Sequence, residues 1–164
     1  MPVTRELTLN KKHLKLAGLL IALLLGVLVI DALADTDARN AGKKATESVT
    51  DLFRIDFRRN IAGQLPPCTD TGQAFWTTHL ATIKDAIEAQ GMTIQSIQAE
   101  RSGNQEPYNG LGGEGQIVPV RLVITSLDKS GQAETAESEI RVLMIKSADG
   151  QWLLDGLAVD LPAH

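Results

Sequence analysis

The chain has 164 residues, a formal net charge of -4 and 43 % hydrophobic residues, which predicts one domain plus a targeting segment. Residues 1–34 carry a net charge of +2, so residues 35–164 carry -6. An acidic domain repels phosphate backbones, which argues against nucleic-acid binding. Cys68 is the single cysteine, which excludes an intramolecular disulfide and a CxxC zinc or redox motif. We interpret Cys68 as a small, half-buried apolar residue, and a disulfide between two copies is the alternative.

An uninterrupted apolar run covers residues 16–30, with three lysines just before it and Asp31 just after it. Such a run targets a chain to a membrane or anchors it there. Extended to residue 34, it approaches the roughly 20 residues that cross a bilayer. Because the lysines precede the run and positive charge stays inside, the following domain faces the far side of the cytoplasmic membrane.

The run ends in Ala32-Leu33-Ala34, a small-x-small triplet that signal peptidase reads, and cleavage there would leave Asp35 as the new N-terminus. We favour an anchor because the run is long and Leu-rich and follows a polar leader. The predicted organisation is a cytoplasmic leader at 1–15, a single-pass inner-membrane anchor at 16–34 and a periplasmic domain at 35–164. Cleavage would instead release a soluble periplasmic protein.

From Thr36 to Ile61, apolar residues recur at three- and four-residue spacing with charges between them. This period predicts one long amphipathic helix. Gly63 and then Pro66-Pro67 end it, because proline cannot continue a helix.

A second helix is predicted from a cap at Thr69, Asp70 or Thr71 to Gly91. Its apolar residues are predicted to lie along one face: Phe75, Trp76, Leu80, Ile83 and Ile87.

After Gly91 the period shortens to about two, so residues 92–100 are predicted to form a strand. Ile94 and Ile97 are out of phase, which indicates a bulge. Residues 101–115 contain five glycines and one proline and are predicted to form a loop.

Residues 117–127 and 136–146 alternate as strands do, with Val118, Val120 and Leu122 on one face of the first. Turns are predicted at 129–131 and at 148–150, where Asp-Gly favours a tight turn into a last strand. Two helices followed by four antiparallel strands define an α+β domain whose curved sheet wraps the helices.

Three stretches carry a resemblance to known proteins. The ending SADGQWLLDGLAV and the order of elements resemble the nuclear-transport-factor-2-like cone fold. A membrane segment before such a domain resembles the periplasmic component of type IV secretion and conjugation machines, including the IcmL/DotI group. LFRIDFRRNIAGQ resembles that group's aromatic-rich end of the first helix, and Thr69-x-x-Gly72-x-x-x-Trp76-x-x-x-Leu80 resembles its second helix.

This sequence departs from the group's pattern at Phe53, Asp56, Phe57 and Gln73. The resemblance implies a non-catalytic inner-membrane scaffold that contacts other secretion-machine subunits and forms a homo-oligomer. The alternatives are a periplasmic small-molecule-binding or enzymatic cone-fold protein, and an accessory protein of an Mce transporter.

Catalysis in such a fold needs a carboxylate or histidine in the cavity with a donor nearby. His79, Asp56, Asp85 and Asp155 are the candidates. His79 has no obvious partner, and Asp155 could face inward on the last strand but is interpreted as an edge-strand charge. No metal motif and no cofactor motif is present, so no catalytic, metal-binding or cofactor-binding residue is predicted.

The predicted contact surface for partners combines an arginine group with the glycine-rich segment. Arg54, Arg58 and Arg59 follow one another near the end of the first predicted helix, and Tyr108 is the only tyrosine of the segment 101–115. Arginine and aromatic residues are enriched at interface anchors. These four residues are the predicted partner-binding site.

Overall fold

The structure is a computed structural model, and it describes residues 36–110 and 112–158. The predicted leader at 1–15 and anchor at 16–34 lie outside these residues. Among the described helices, none is both long enough and apolar enough to cross a membrane. The described chain contains helix α1 (36–52), a short 3-10 helix (Ala62–Gln64) and helix α2 (Asp70–Gln90). Five strands follow: β1 (Thr93–Arg101), β2 (Glu106–Gly110), β3 (Gly113–Leu127), β4 (Ala133–Lys146) and β5 (Trp152–Leu157).

Helix α1 ends at residue 52, so the prediction of one helix reaching Ile61 is wrong. The backbone N–H of Arg54 donates to the carbonyl of Asp51 at 3.1 Å, which tightens the last turn. Beyond it, the Asp56 carboxylate accepts the N–H of Arg58 at 3.0 Å, and the Gln64 side chain bonds both backbone groups of Asp56 at 3.0 Å. These side-chain bonds replace the helical ladder with a closed loop.

Helix α2 confirms its predicted ends. The Thr69 hydroxyl accepts the N–H of Gly72 at 2.9 Å and caps the first turn. Gly91 adopts the left-handed conformation at φ 63° and ends the helix, as glycine does without steric penalty. Trp76 and Leu80 are buried as predicted, whereas Phe75 is 37 % exposed.

The strands form one antiparallel sheet in the order β1-β3-β4-β5, with β2 paired to the first residues of β3. The α+β prediction of two helices on a curved antiparallel sheet is therefore confirmed, with five strands in place of four. The predicted bulge is also confirmed, because the β1 register shifts between Ile94 and Ser96.

The extra strand, β2, lies within the segment 101–115, so the prediction of a loop there is wrong. Gly110 of β2 and Gly115 of β3 leave room for an aromatic ring: a Cβ on Gly110 would lie 1.9 Å from the Tyr108 hydroxyl, and one on Gly115 3.4 Å from the ring. A ring that covers glycine on a neighbouring strand stabilises the pairing. The glycine content that suggests a loop therefore serves a hairpin.

The core fills the space between the helices and the inner face of the sheet. It is formed by alternate residues of the strands and by one face of each helix, and every member is less than 10 % exposed. The members from α1 and α2 are Ala41, Ala45, Val49, Leu52, Trp76 and Leu80. The members from the sheet are Val118, Val120, Leu122, Val142, Met144, Trp152 and Leu154.

The segment before α2 is joined directly to β5. The N–H of Leu154 donates to the carbonyl of Pro67 at 3.0 Å, and the N–H of Thr69 donates to the carbonyl of Leu154 at 3.1 Å. The Thr69 hydroxyl also donates to the Asp155 carboxylate. Thr69 therefore caps α2 and fastens it to the sheet with a single side chain.

Cys68 lies in this joint and is half-buried. Burial, reinforced by the nearby Asp155 carboxylate, raises the pKa of its thiol from 9.0 to about 11. Since the thiolate is the nucleophile and a thiolate of higher pKa is only partly compensated by its greater nucleophilicity, we expect alkylation of the folded chain at pH 8 to be at least about 10-fold slower than alkylation of the urea-unfolded chain. Iodoacetamide labelling followed by mass spectrometry measures this ratio, and equal rates in the two states would contradict the burial.

Candidate functional site

An open cleft of about 500 Å³ lies where the loop after α1 meets the end of α2 and the start of β1. The loop contributes residues 53–58, α2 contributes Lys84, Ile87 and Glu88, and the chain entering β1 contributes residues 92–95. Gln95, at the β1 bulge, is part of its wall, and bulges commonly occur beside functional sites. The volume lies within the range of ligand and peptide pockets.

Apolar side chains form part of the cleft wall. Phe53 and Phe57 are half-buried and pack on the edge of the core, while Ile55 is buried. Ile87 and Ile94 are also half-buried on the opposite side. An apolar surface that is only partly covered by its own chain can gain free energy by covering a partner's apolar groups.

The charges at the cleft do not balance one another. Asp56 pairs with Arg59 at 3.4 Å, and Glu88 pairs with Lys84 at 3.8 Å. Arg54 and Arg58 both line the cleft, and no carboxylate in residues 36–110 or 112–158 lies within 4.0 Å of either guanidinium. The cleft therefore presents two uncompensated positive charges in a domain that is acidic as a whole.

The predicted partner-binding residues do not form one surface. Arg54 and Arg58 lie together at the cleft, and Arg54 also borders two neighbouring grooves along α1. Arg59 is 79 % exposed, is paired with Asp56 and does not line the cleft. Of the three arginines, two therefore share the candidate site.

Tyr108 lies far from the cleft. Its partner in β3 is Gly115, whereas the residues entering β1 at the cleft pair with the last residues of β3. The part of β3 that pairs with Tyr108 and the part that pairs with the start of β1 are therefore separated by about 40 Å of extended strand. Tyr108 packs on Ile117, Leu143 and Ile145, a small apolar cluster on the outer face of the sheet. Its predicted role in partner binding stays a prediction.

Sequence reasoning did not select Ile87, Ile94 or Gln95 as site residues. Ile87 was predicted as part of the apolar face of α2, and that face extends beyond the core into the cleft. The β1 bulge was the one signal that pointed to this place, because a bulge re-aims side chains beside a site.

Three of the four candidate acid–base residues contact other side chains. Asp56 is in its ion pair with Arg59, and Asp155 accepts the Thr69 hydroxyl. His79 stacks on Phe75 with ring centroids 5.5 Å apart. Asp85 is exposed on α2. Within the described ranges, no three His, Cys, Asp or Glu side chains come together as a metal site requires.

No protein-family model matches this sequence, and no curated protein is significantly similar to it. The geometry of the cleft and the residues that carry the resemblance are therefore the basis for a functional proposal.

Proposed function

We propose that this protein is a non-catalytic docking module, and that the cleft beside Arg54 and Arg58 binds an acidic, partly apolar segment of another protein. The observation that carries the proposal is the pair of arginines that have no carboxylate partner among the described residues and lie beside apolar side chains. A carboxylate of the partner forms charge-assisted hydrogen bonds with a guanidinium, often in a bidentate arrangement. The partner's apolar side chains cover Phe53 and Ile87.

The resemblance extends this proposal to the setting. We place the domain in the bacterial periplasm, held by residues 16–34 in the inner membrane, as a nuclear-transport-factor-2-like scaffold of a type IV secretion or conjugation machine. The partners are then other subunits of that machine. Homo-oligomerisation, which the resemblance also implies, is part of the same proposal and would use a surface other than the cleft.

Large buried side chains in the interior favour binding on the surface over catalysis inside. Trp76, Met144 and Trp152 occupy the space between helices and sheet, and each is less than 10 % exposed. In the cleft, both carboxylates are paired with cations of their own chain. A binding role uses the groups that are left, which are the two arginines and the apolar walls.

Photo-crosslinking in cells tests this proposal. A photoreactive amino acid replaces Gln95, which lines the cleft and carries no charge, in the full chain at its native expression level. We expect an adduct with a second protein, recovered in the membrane fraction after carbonate extraction. The same amino acid at Thr82, exposed on α2 and outside the cleft, is the positional control.

Charge variants then test the arginines. Arg54→Gln with Arg58→Gln should lower the yield of the Gln95 adduct at least about tenfold, because each lost 1.4 kcal/mol of affinity is a factor of ten. Arg101→Gln is the matched control and should keep the yield, since Arg101 is exposed at the far end of β1 and does not line the cleft. An unchanged adduct in the double variant, or equal adducts at Gln95 and Thr82, would overturn the assignment. An adduct of less than about 1 kDa would indicate a small ligand in place of a protein.

A further inference from the structure

The first half of β4 is paired on one side only. Its register with β3 runs from Ala133–Leu127 to Ile145–Gly115, whereas β5 pairs only with Val142–Lys146. Along residues 133–141, no described strand lies on the outer edge of β4. Residues 133–139 are all exposed. We call these seven residues the β4 edge.

The β4 edge lacks the steric features that usually protect such edges. Natural edge strands are blunted by proline, by bulges, by shortness or by charge. This strand contains no proline, and its register with β3 has no shift. Its outward N–H and C=O groups are therefore arranged in the regular repeat that another strand needs.

Charge is the protective feature that the β4 edge does have, and the sign of this charge determines which partner strand can pair with it. Three of the seven residues are glutamates: Glu134, Glu137 and Glu139. The Arg121 guanidinium donates two hydrogen bonds to the Glu137 carboxylate, at 2.7 and 2.8 Å. Glu134 and Glu139 have no cation within 4.0 Å in the described chain. Pairing of this edge with a second copy would place two acidic strands side by side, which is destabilising.

We propose that the β4 edge binds an extended, basic segment of another protein as an added strand. Main-chain hydrogen bonds supply the affinity in this mode, and side chains supply the specificity. Glu134 and Glu139 lie on opposite faces because they are five residues apart in a strand. The partner strand must therefore carry lysine or arginine at two positions five residues apart, one opposite each glutamate.

This site is separate from the cleft. The cleft residues that pair with β3 belong to β1, and β3 lies between β1 and β4 in the sheet. Failure of the strand-addition proposal therefore leaves the cleft proposal standing, and the reverse is also true.

Hydrogen–deuterium exchange of the full chain in detergent tests the proposal. The probe is a synthetic twelve-residue peptide of alternating threonine and valine with two lysines five positions apart. The control peptide has glutamates in place of both lysines. With the lysine peptide, we expect amide exchange in residues 133–141 to slow at least about tenfold, because new main-chain bonds protect the edge. Glu134→Gln with Glu139→Gln should abolish most of this protection, and Glu114→Gln, at the other end of β3, should leave it unchanged.

Proline variants test main-chain pairing separately from charge. Successive N–H groups of a strand point to opposite sides, so one of Ala136→Pro and Glu137→Pro removes a bond to β3 and the other removes an outward N–H. In the proline variant that keeps the fold, adding the lysine peptide should no longer slow amide exchange. Three results would each overturn the proposal: exchange that is still slowed in this variant, exchange that is slowed equally by the glutamate peptide, or exchange that the lysine peptide does not slow. Protection of residues 133–141 that rises with protein concentration alone would also overturn it, in favour of self-pairing.

Discussion

Replacing Gly72 by alanine is expected to lower the free energy of unfolding by about 3 kcal/mol. A Cβ at this position would lie 2.3 Å from the carbonyl oxygen of Leu154 and 2.6 Å from that of Asp155. Both obstacles are backbone atoms of β5, and that strand is already fastened to residues 67–69 by hydrogen bonds. The first turn of α2 would therefore have to move away from the sheet. Alanine's higher helix propensity offsets only about 1 kcal/mol of this cost.

Urea unfolding of the full chain in detergent measures this effect, with the fluorescence of the buried Trp76 and Trp152 as the signal. Gly63→Ala is the matched control, because the nearest atom to its Cβ would be 3.9 Å away. We expect the control to change stability by no more than about 0.5 kcal/mol. A Gly72→Ala variant as stable as the unaltered chain would show that α2 does not approach β5 this closely.

Replacing Leu80 by alanine is expected to cost about 2–5 kcal/mol, because the side chain is fully buried and the neighbours can only partly collapse into the cavity. Leu80 follows Trp76 by one turn and belongs to the same core cluster. Leu80→Met keeps the volume and should cost less than about 1.5 kcal/mol.

Thr82→Ala, two residues further along the same helix, is the surface control for Leu80. Thr82 is exposed, and its hydroxyl bonds only the carbonyl of Thr78 at 3.2 Å. Its replacement should change stability by about 0.5 kcal/mol or less. Similar midpoints in urea for Leu80→Ala and Thr82→Ala would contradict the placement of this face of α2 against the sheet.

The contacts behind these two stability predictions explain the spacing of Thr69, Gly72, Trp76 and Leu80. These four residues form the stretch that resembles the second helix of the secretion components. Thr69 caps the helix, Gly72 allows contact with β5, and Trp76 and Leu80 follow at four-residue intervals on the buried face. All four positions are therefore explained by packing of α2 on the sheet. This stretch stabilises the fold, whereas the proposal of partner binding is based on the residues of the cleft.

The other resembling stretch, LFRIDFRRNIAGQ, has a different role in the structure. It leaves α1 and forms the loop that borders the cleft, with Gln64 closing it through bonds to Asp56 and Asn60. Phe53 and Phe57 pack against the core from this loop, which leaves Arg54 and Arg58 at the cleft. The irregular backbone, in place of the predicted helix, creates the candidate site.

Signals that act over a few residues are interpreted correctly from this sequence. The cap at Thr69, the left-handed glycine at position 91 and the alternation along β3 each depend on neighbours within one or two turns. The β1 bulge is another such local feature, because the two-residue alternation of apolar residues is interrupted at this point of the sequence. Local backbone preference and burial of alternate residues are sufficient to explain these features.

Features that depend on distant parts of the chain required the tertiary structure. The end of α1 depends on Gln64, which is 12 residues beyond the helix. Strand β2 depends on its pairing with β3, which outweighs the low strand preference of Pro107, Asn109 and Gly110. The different roles of the arginines also depend on the tertiary structure. Arg58 and Arg59 are equivalent in the sequence, but Arg59 pairs with Asp56 and Arg58 does not.

The sequence by itself therefore determined the class of the domain, the limits of α2, the inward face of β3 and the acidic character of residues 35–164. The tertiary structure decided where α1 ends, that Gly72 contacts β5, that Tyr108 and the arginines are at opposite ends of β3, and that the edge of β4 is open. The physical reason is that local conformational preferences act between neighbours in the chain. Close packing, charge pairing and strand edges depend instead on groups that only folding brings together.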